Sequence, residues 1–137
     1  NNQNATFYYW IGDRGPDDID NLWNLFESAL KYSQTPSDDN RQEISKYFDL
    51  AIRMKGNGNS KITMGLYWIA PDVFLNLDSR NIWYIYESGK IPFDVLDSLP
   101  QIEQKISADK YFEITGKLQT YLQSESSHLK DFKELFF

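Results

Sequence analysis

Carboxylates and lysines are the residue types in this sequence that could support hydrolysis of a phosphodiester. Metal-dependent nucleases often carry a Pro-Asp pair, followed one strand later by an acid-x-Lys triplet. Pro71-Asp72 supplies the pair, but Glu87-Ser88-Gly89-Lys90 has one residue too many between its acid and its lysine. Asp131-Phe132-Lys133 has the right spacing but lies far along the chain on a predicted helix. A small metal-dependent nuclease is therefore the least favoured of the functions considered.

Two other catalytic patterns are also incomplete. A phosphate-binding loop needs a lysine followed by serine or threonine after a strand, whereas Gly56-Asn57-Gly58 follows a predicted helix and Ser60-Lys61 has the reverse order. His128, the single histidine, lies among Ser126, Ser127 and Asp131, where a solvated position at a helix start is favoured over a Ser-His-Asp triad. We expect no catalytic residue, no metal site and no cofactor in this segment, and predict that it is not an enzyme.

The charge of the chain is unevenly distributed. The net charge is −6, which argues against general binding to a phosphate backbone. Residues 41–61 nevertheless carry five cations against two acids, a local net charge of +3. This basic stretch, together with one arginine further along, is the candidate DNA-binding set: Arg41, Lys46, Arg53, Lys55, Lys61 and Arg80.

Length and composition limit the class of protein. The chain has 137 residues, enough for one domain, and it has no cysteine, which excludes disulfides and thiolate metal sites. The absence of cysteine fits the reducing cytoplasm, where we expect the protein, and no apolar run approaches the 18 or more residues of a membrane span, so we expect no membrane contact. Residues 1–6 are predicted to be frayed and residues 7–137 to form a single helical domain. The missing initiator methionine and the final Leu135-Phe136-Phe137 are interpreted as signs of a fragment of a longer protein.

Apolar spacing predicts a mainly α fold, a compact bundle of about four to six helices with an optional small strand pair. The clearest helices begin at Pro16, at an N-capping Ser37 and at an N-capping Ser107, and a last helix is predicted from Leu129. Helix and strand both remain open for two segments, residues 62–70 and residues 82–86. If residues 62–70 are helical, Ser60 is the expected cap. Residues 90–106 are expected to connect elements with one helical turn, residues 7–11 to form a strand, and residues 56–60 to form a flexible loop.

The aromatic residues are expected to lie mainly in the core. Helical spacing places Trp23, Tyr47, Phe48 and Tyr111 on apolar faces. For Trp68, Trp83 and Tyr84, packing in the core is favoured over stacking on a ligand.

A short polar island interrupts the aromatic stretch at residues 76–81. Asp78 and Ser79 can accept hydrogen bonds from nearby backbone N–H groups and cap the next element, so a buried capping turn is favoured over an active site. The surrounding phrase, GLYWIAPDVFLNLDSRNIWYI at residues 65–85, resembles a segment that recurs upstream of the AAA+ motor in McrB-like restriction NTPases. The matching residues are Trp68, Ile69, Pro71, Phe74, Leu75, Asn76, Leu77, Asp78, Ser79 and Asn81.

The resemblance implies that the parent protein is a subunit of a methyl-directed restriction system, a defence function. Such a subunit has an AAA+ motor, usually GTP-hydrolysing, that forms rings and works with an McrC-like nuclease. The Walker motifs of that motor are not in this sequence, so the expected role is a non-catalytic module that recognises DNA or couples recognition to the motor. The alternative is an interaction or scaffold domain that contacts the nuclease or neighbouring subunits, with Phe132, Leu135 and Phe136 in an exposed apolar patch.

Overall fold

The computed structural model describes residues 18–124, which contain six α-helices and, within that range, no β-strand. The helices are α1 (Asp18–Gln34), α2 (Asp38–Ile52), α3 (Asn59–Ile69), α4 (Ser79–Tyr86), α5 (Phe93–Ser98) and α6 (Ala108–Gln123). The prediction of a mainly helical bundle is confirmed, whereas the optional strand pair is not found in the described part of the chain. The predicted strand at residues 7–11, the last helix from Leu129, His128 and the patch at Phe132, Leu135 and Phe136 lie outside the described residues.

The first two helices form a hairpin whose turn is set by local hydrogen bonds. Ser37 is the N-cap of α2, and its side chain accepts a hydrogen bond from the backbone N–H of Asn40 at 3.2 Å. Asp38 and Asp39 occupy the first turn, where the helix dipole favours negative charge. Helices α1 and α2 pack on each other more extensively than any other pair of helices in the described structure.

The connection from α2 to α3 differs from the expected flexible loop. Gly56 has a φ of 85°, a left-handed conformation that glycine adopts without strain, and it reverses the chain after α2. Asn57 is buried and donates to the carbonyl of Ala51 at 3.3 Å, while buried Asn59 starts α3 and donates to the carbonyl of Glu103 at 2.7 Å. The expectations of a flexible loop and of a Ser60 cap were wrong, because the two asparagine side chains hold this connection in place and Gly58 is the N-cap.

The segments for which helix and strand remained open are both helical. Residues 59–69 form α3 and residues 79–86 form α4, with Asp78 as the N-cap of α4. The single helical turn expected between residues 90 and 106 is α5. Ser107 caps α6 as predicted, accepting from the backbone N–H of Lys110 at 3.3 Å.

One continuous core joins the helices and the α3–α4 connection. The rings of Phe48 and Tyr111 stack at its centre, with 5.1 Å between their centroids. The largest fully buried side chains are Tyr111, Phe48, Phe74, Leu25, Ile44, Ile62, Leu66, Leu75, Leu77, Ile85 and Ile106. Burial of Phe48 and Tyr111 was predicted correctly, and Tyr47 is half-buried against the core.

The tryptophans are placed differently from the prediction. Trp23 on α1, Trp68 on α3 and Trp83 on α4 expose 60%, 61% and 54% of their surface. The expectation that these rings pack in the core was wrong, because each helix buries a neighbouring face built from smaller side chains. Tyr84 is half-buried and packs against the core, as favoured.

Candidate functional site

The polar island at residues 76–81 is a capping turn. The Asp78 carboxylate accepts a hydrogen bond from the backbone N–H of Asn81 at 2.8 Å and thereby caps α4. The Asn81 side chain donates to the carbonyl of Asn76, also at 2.8 Å, which ties the turn to its own start. The prediction of a capping turn is confirmed, and both polar side chains are occupied with holding backbone.

Side chains from two other helices fix the chain leading into this turn. The Tyr111 hydroxyl of α6 donates to the carbonyl of Leu75 at 2.7 Å. Thr63 of α3 accepts from the backbone N–H of Leu77 at 2.8 Å and donates to the carbonyl of Asn59 at 2.5 Å. Burial raises the pKa of the Tyr111 hydroxyl well above its ordinary value, so this donor stays protonated. We call residues 74–78, held in this way, the clamped segment.

Most residues of the phrase at 65–85 therefore belong to the framework. Phe74, Leu75 and Leu77 are fully buried and Asn81 is nearly so. Pro71, Asn76 and Asp78 are half-buried, and only Trp68 and Ser79 of the ten matching residues are exposed. The amide oxygen of Asn76 is buried and accepts no hydrogen bond from the described residues. Apart from its exposed tryptophans, the phrase contributes to the packing of the core.

Only two of the six DNA-binding candidates share the outer side of α2. Lys46 and the C-cap residue Arg53 are exposed and, at about 100° per residue, lie roughly 20° apart, opposite the buried face. Arg41 is also exposed, but it is seven residues before buried Phe48 and lies on the side of the helix that faces the core. The Arg41 guanidinium lies over the ring of Phe112 at 4.9 Å, and the Lys46 ammonium is 5.2 Å from the ring of Tyr47. These rings hold two of the cations close to the protein surface.

Acidic residues lie beside the α2 cations Arg41 and Lys46. Asp38 and Asp49 line the same shallow depression as Arg41 and Lys46, and Asp109 lines it from the start of α6. The Asp49 carboxylate accepts a hydrogen bond from the backbone N–H of Ala108 at 2.8 Å, so it helps to hold the N-terminus of α6. The depression carries three acids and two cations, which makes it a weak attractor for a phosphate backbone.

The remaining candidates are distributed over other elements. Lys55 is exposed after α2, Lys61 is half-buried in the first turn of α3, and Arg80 is exposed in the first turn of α4. Helix α2 packs most extensively on α1, α6 and α3, so the fold gives no reason to group Arg80 with the α2 cations. The structure also shows a cation that sequence reasoning missed, Lys105, whose ammonium donates to the carbonyl of Met54 at 2.9 Å just beyond the end of α2.

Large apolar side chains on the outer faces of helices are the other candidate surface. On α1, Ile19, Trp23 and Leu30 are 39%, 60% and 49% exposed. The signal was present in the sequence, because α1 carries two adjacent apolar stripes: Leu22, Leu25 and Ala29 face the core, while residues 19, 23, 26 and 30 lie about 100° away. A helix at the surface of a monomer needs only one such stripe.

The exposed tryptophans of α3 and α4 lie on the same helices as candidate cations. Arg80 and Trp83 are three residues apart, a spacing that places them on one face of α4. On α3, Lys61 and Trp68 are seven residues apart and also share a face. Cations beside exposed rings can contact either a nucleic acid or an acidic protein surface.

A groove lies between α5 and α6. Its lining includes Pro92, Val95, Thr120 and Tyr121. Lys117, also in the lining, donates to the carbonyl of Ser98 and forms an ion pair with Glu113 at 2.8 Å, so its ammonium is already engaged. The Ser98 and Thr120 hydroxyls of the lining donate to the backbone carbonyls of Val95 and Gly116, and we assign no chemistry to the groove.

Residues 18–124 hold neither a cluster of metal-ligating side chains nor a membrane-spanning helix. Within this range no three histidine, aspartate or glutamate side chains converge as a metal site would require. None of the helices in the same range combines the length and the apolar character needed to cross a bilayer.

Comparison with known proteins gives one match. Residues 1–134 match the model of a family described as a domain of unknown function, DUF8425, and the chain belongs to that family. Comparisons with curated proteins and with solved structures give no match.

Proposed function

We propose that this DUF8425 domain is a non-catalytic interaction module of a McrB-like, methyl-directed restriction NTPase subunit in the cytoplasm. It couples recognition to the AAA+ motor by binding proteins of the same system, either ring neighbours or the McrC-like nuclease. The observation that carries the proposal is the exposure of Trp23, Trp68 and Trp83, each more than half exposed on a different helix.

Exposed tryptophans on three helices are unusual in a domain that works alone. Burying apolar surface stabilises an association by about 25 cal/mol per Å², and tryptophan is among the residues most enriched where binding energy concentrates. The domain has a well-filled core without these three rings, since Tyr111, Phe48 and Phe74 are fully buried. The tryptophans are therefore available for contacts outside the domain.

The parent protein and the surface function rest on separate observations. The assignment to a McrB-like subunit is supported by the resemblance of residues 65–85, whose matching residues are mostly buried framework. The assignment to protein binding is supported by side chains outside that phrase, such as Trp23 and Ile19, or on its exposed side, such as Trp68. Evidence against one assignment would leave the other standing.

DNA recognition is the second candidate function. It is favoured by the position of Lys46 and Arg53 on the outer side of α2 and by the three-residue spacing of Arg80 and Trp83 on α4. Against it stand the net charge of −6 and the acids Asp38 and Asp49, which line the same depression as Arg41 and Lys46. The balance of charges makes it the weaker of the two.

Calorimetric titration of the full chain distinguishes the candidates. The titrants are the AAA+ motor ring, the McrC-like nuclease, and methylated or unmethylated duplex DNA at two salt concentrations. Protein binding that Trp23→Gln, Trp68→Gln or Trp83→Gln weakens about tenfold supports the interaction module. Salt-sensitive DNA binding that Lys46→Gln and Arg53→Gln weaken would replace it with the second candidate.

Binding to neither protein, or protein binding that none of the tryptophan variants changes, would contradict the interaction module. Metal-dependent cleavage of plasmid DNA by the purified chain would contradict its non-catalytic character.

A further inference from the structure

The exposed apolar residues of α1 have the spacing of a helix–helix seam. Ile19, Trp23, Phe26 and Leu30 follow each other at intervals of four, three and four residues. Ile19, Trp23 and Leu30 are exposed, and Phe26 is half-buried between them against the core. This alternation of fours and threes is the heptad spacing that one helix presents to another lying alongside it. We call these four residues the α1 seam.

The two residues at the flanking heptad position on the open side of the α1 seam are both acidic. Asp20 and Glu27 are exposed and seven residues apart. Lys31 lies only about 20–40° further round the helix, and its ammonium is engaged by the Glu43 carboxylate of α2 at 3.4 Å. On the other flank of the seam, Leu22 and Ala29 are buried in the core. A partner helix would therefore meet acids along its single open edge.

We propose that the α1 seam binds an amphipathic helix of a partner protein, with an apolar heptad stripe and lysine or arginine at the flanking positions. This inference rests on the proposed function and identifies the surface and the partner chemistry for it. The partner helix lies nearly parallel or antiparallel to α1, because heptad spacing on both sides favours a shallow crossing angle of about 20°. From Ile19 to Leu30 the seam is about 16 Å long, which matches three turns of helix.

The acidic residues beside the α1 seam determine which charges the partner helix should carry at its flanking positions. In paired helices, residues beside the seam form ion pairs that set partner choice, and like charges facing each other are unfavourable. With Asp20 and Glu27 on the open edge, an acidic helix is repelled and a basic one is attracted. The net charge of the whole chain, −6, acts in the same direction at longer range.

The test uses two synthetic helical peptides of equal length with the same leucine heptad stripe. One carries lysine at its flanking positions and the other carries glutamate. Binding of each to the full 137-residue chain is measured by fluorescence anisotropy of a peptide label at low and physiological salt. The lysine peptide is expected to bind at least tenfold more tightly than the glutamate peptide. Equal binding of the two would overturn the charge argument, and binding of neither would overturn the proposal.

Variants locate the binding surface. Trp23→Gln is expected to weaken binding of the lysine peptide about tenfold or more, because it removes the largest ring of the α1 seam. Glu27→Lys is expected to weaken the same binding about threefold and to improve binding of the glutamate peptide. Trp83→Gln is the matched control, since it removes an equally exposed ring from α4. An equal effect of Trp23→Gln and Trp83→Gln would show non-specific adsorption and overturn the proposal.

Photo-cross-linking distinguishes a partner helix from a second copy of the chain and from a segment of the same chain as the occupant of the α1 seam. Benzoylphenylalanine at position 23 of the full chain is irradiated with and without the lysine peptide, and the products are mapped by mass spectrometry. A cross-link to the peptide supports the proposal. A covalent dimer would assign the seam to a second copy, and a cross-link within one chain would assign it to a segment of the same protein; either result overturns the proposal. If the peptide experiments fail but binding to the motor ring or to the nuclease still requires Trp68 or Trp83, the proposed function stands and only this inference is overturned.

Discussion

The clamped segment at residues 74–78 and the outer face of α1 are both rich in large apolar side chains, but those side chains lie in opposite environments. In the clamped segment, Phe74, Leu75 and Leu77 are fully buried, and the backbone of Leu75 and Leu77 is held by Tyr111 and Thr63. On the outer face of α1, Ile19, Trp23 and Leu30 remain exposed.

The difference in burial indicates two roles for apolar residues. Burial of the clamped segment contributes to the stability of the domain, so its residues are explained without any partner. The exposed side chains of α1 contribute little to that stability and are explained by contacts outside the domain. Substitutions in the clamped segment should therefore change folding, and substitutions on the α1 seam should change binding.

The largest expected effect is that of truncating a buried ring in the clamped segment. Phe74→Ala should lower the free energy of unfolding by about 3–5 kcal/mol, because it removes a fully buried side chain and leaves a cavity. Urea unfolding followed by circular dichroism measures the change. A loss below about 1 kcal/mol would show that the segment is not part of the core and would remove the basis of the comparison.

A smaller loss in the free energy of unfolding is expected when only the hydrogen bond from Tyr111 to the clamped segment is removed. Tyr111→Phe keeps the ring stacked on Phe48 but removes the hydroxyl that donates to the carbonyl of Leu75. Leaving that buried carbonyl without a donor should cost about 1–3 kcal/mol. The same urea titration applies, and Tyr84→Phe, which changes a half-buried tyrosine, is the control. Equal losses in the two variants would show that the hydroxyl of Tyr111 has no special role.

Removing the N-cap of α4 should lower the free energy of unfolding by a still smaller amount. Asp78→Ala is expected to lower the free energy of unfolding by about 1 kcal/mol, since the backbone N–H of Asn81 loses its acceptor. Asp78→Ser retains a capping oxygen and should recover most of the loss. If the Asp78→Ala chain melts like the wild type but no longer binds its partner, the polar island at residues 76–81 belongs to the binding surface and not to the framework.

Alkaline pH offers a further test of the interior. Burial, followed by the nearby charge of Glu113, raises the pKa of Tyr86 to about 12, and burial also raises the pKa of Tyr111. The unfolded chain ionises its tyrosines near pH 10, so it binds fewer protons than the folded chain above that pH. The melting temperature should therefore fall as pH rises from about 10 to 12.

The Tyr86→Phe variant distinguishes the contribution of Tyr86 to this pH dependence from that of Tyr111. The variant loses the hydrogen bond from the Tyr86 hydroxyl to the carbonyl of Pro100, 2.6 Å long, and should be somewhat less stable at neutral pH. Its melting temperature should fall less steeply with pH between 10 and 12, because one of the two raised pKa values is gone. A slope equal to that of the wild type would show that Tyr86 does not contribute.

The smallest effect is expected for the exposed rings themselves. Trp23→Gln should change the free energy of unfolding by no more than about 0.5 kcal/mol, since its side chain is already 60% exposed. Thermal melting with Trp68→Gln and Trp83→Gln alongside checks whether all three behave alike. A loss of 2 kcal/mol or more in Trp23→Gln would place that ring in the core and contradict the binding role of the α1 seam.

Local signals in the sequence predicted much of the helical framework. Ser37, Asp78 and Ser107 were each proposed as caps, and each accepts a hydrogen bond from the N–H three residues later. The helix–strand choice at residues 62–70 and 82–86 remained open, because short apolar runs fit both. The candidate binding residues were harder to place, since Lys46 and Arg53 share a face only if α2 is helical, and the position of Arg41 over the ring of Phe112 depends on the packing of α2 against α6.

The sequence by itself determined where α2, α4 and α6 start, because a side-chain cap and its target lie three residues apart and need no other part of the chain. It also determined which residues are apolar enough to be buried. Only the tertiary structure decided which of the two apolar stripes of α1 is buried, since that choice depends on the neighbours supplied by α2 and α3. The same holds for the clamp from Tyr111 to Leu75, which joins residues 36 positions apart and exists only when α6 packs against the α3–α4 connection.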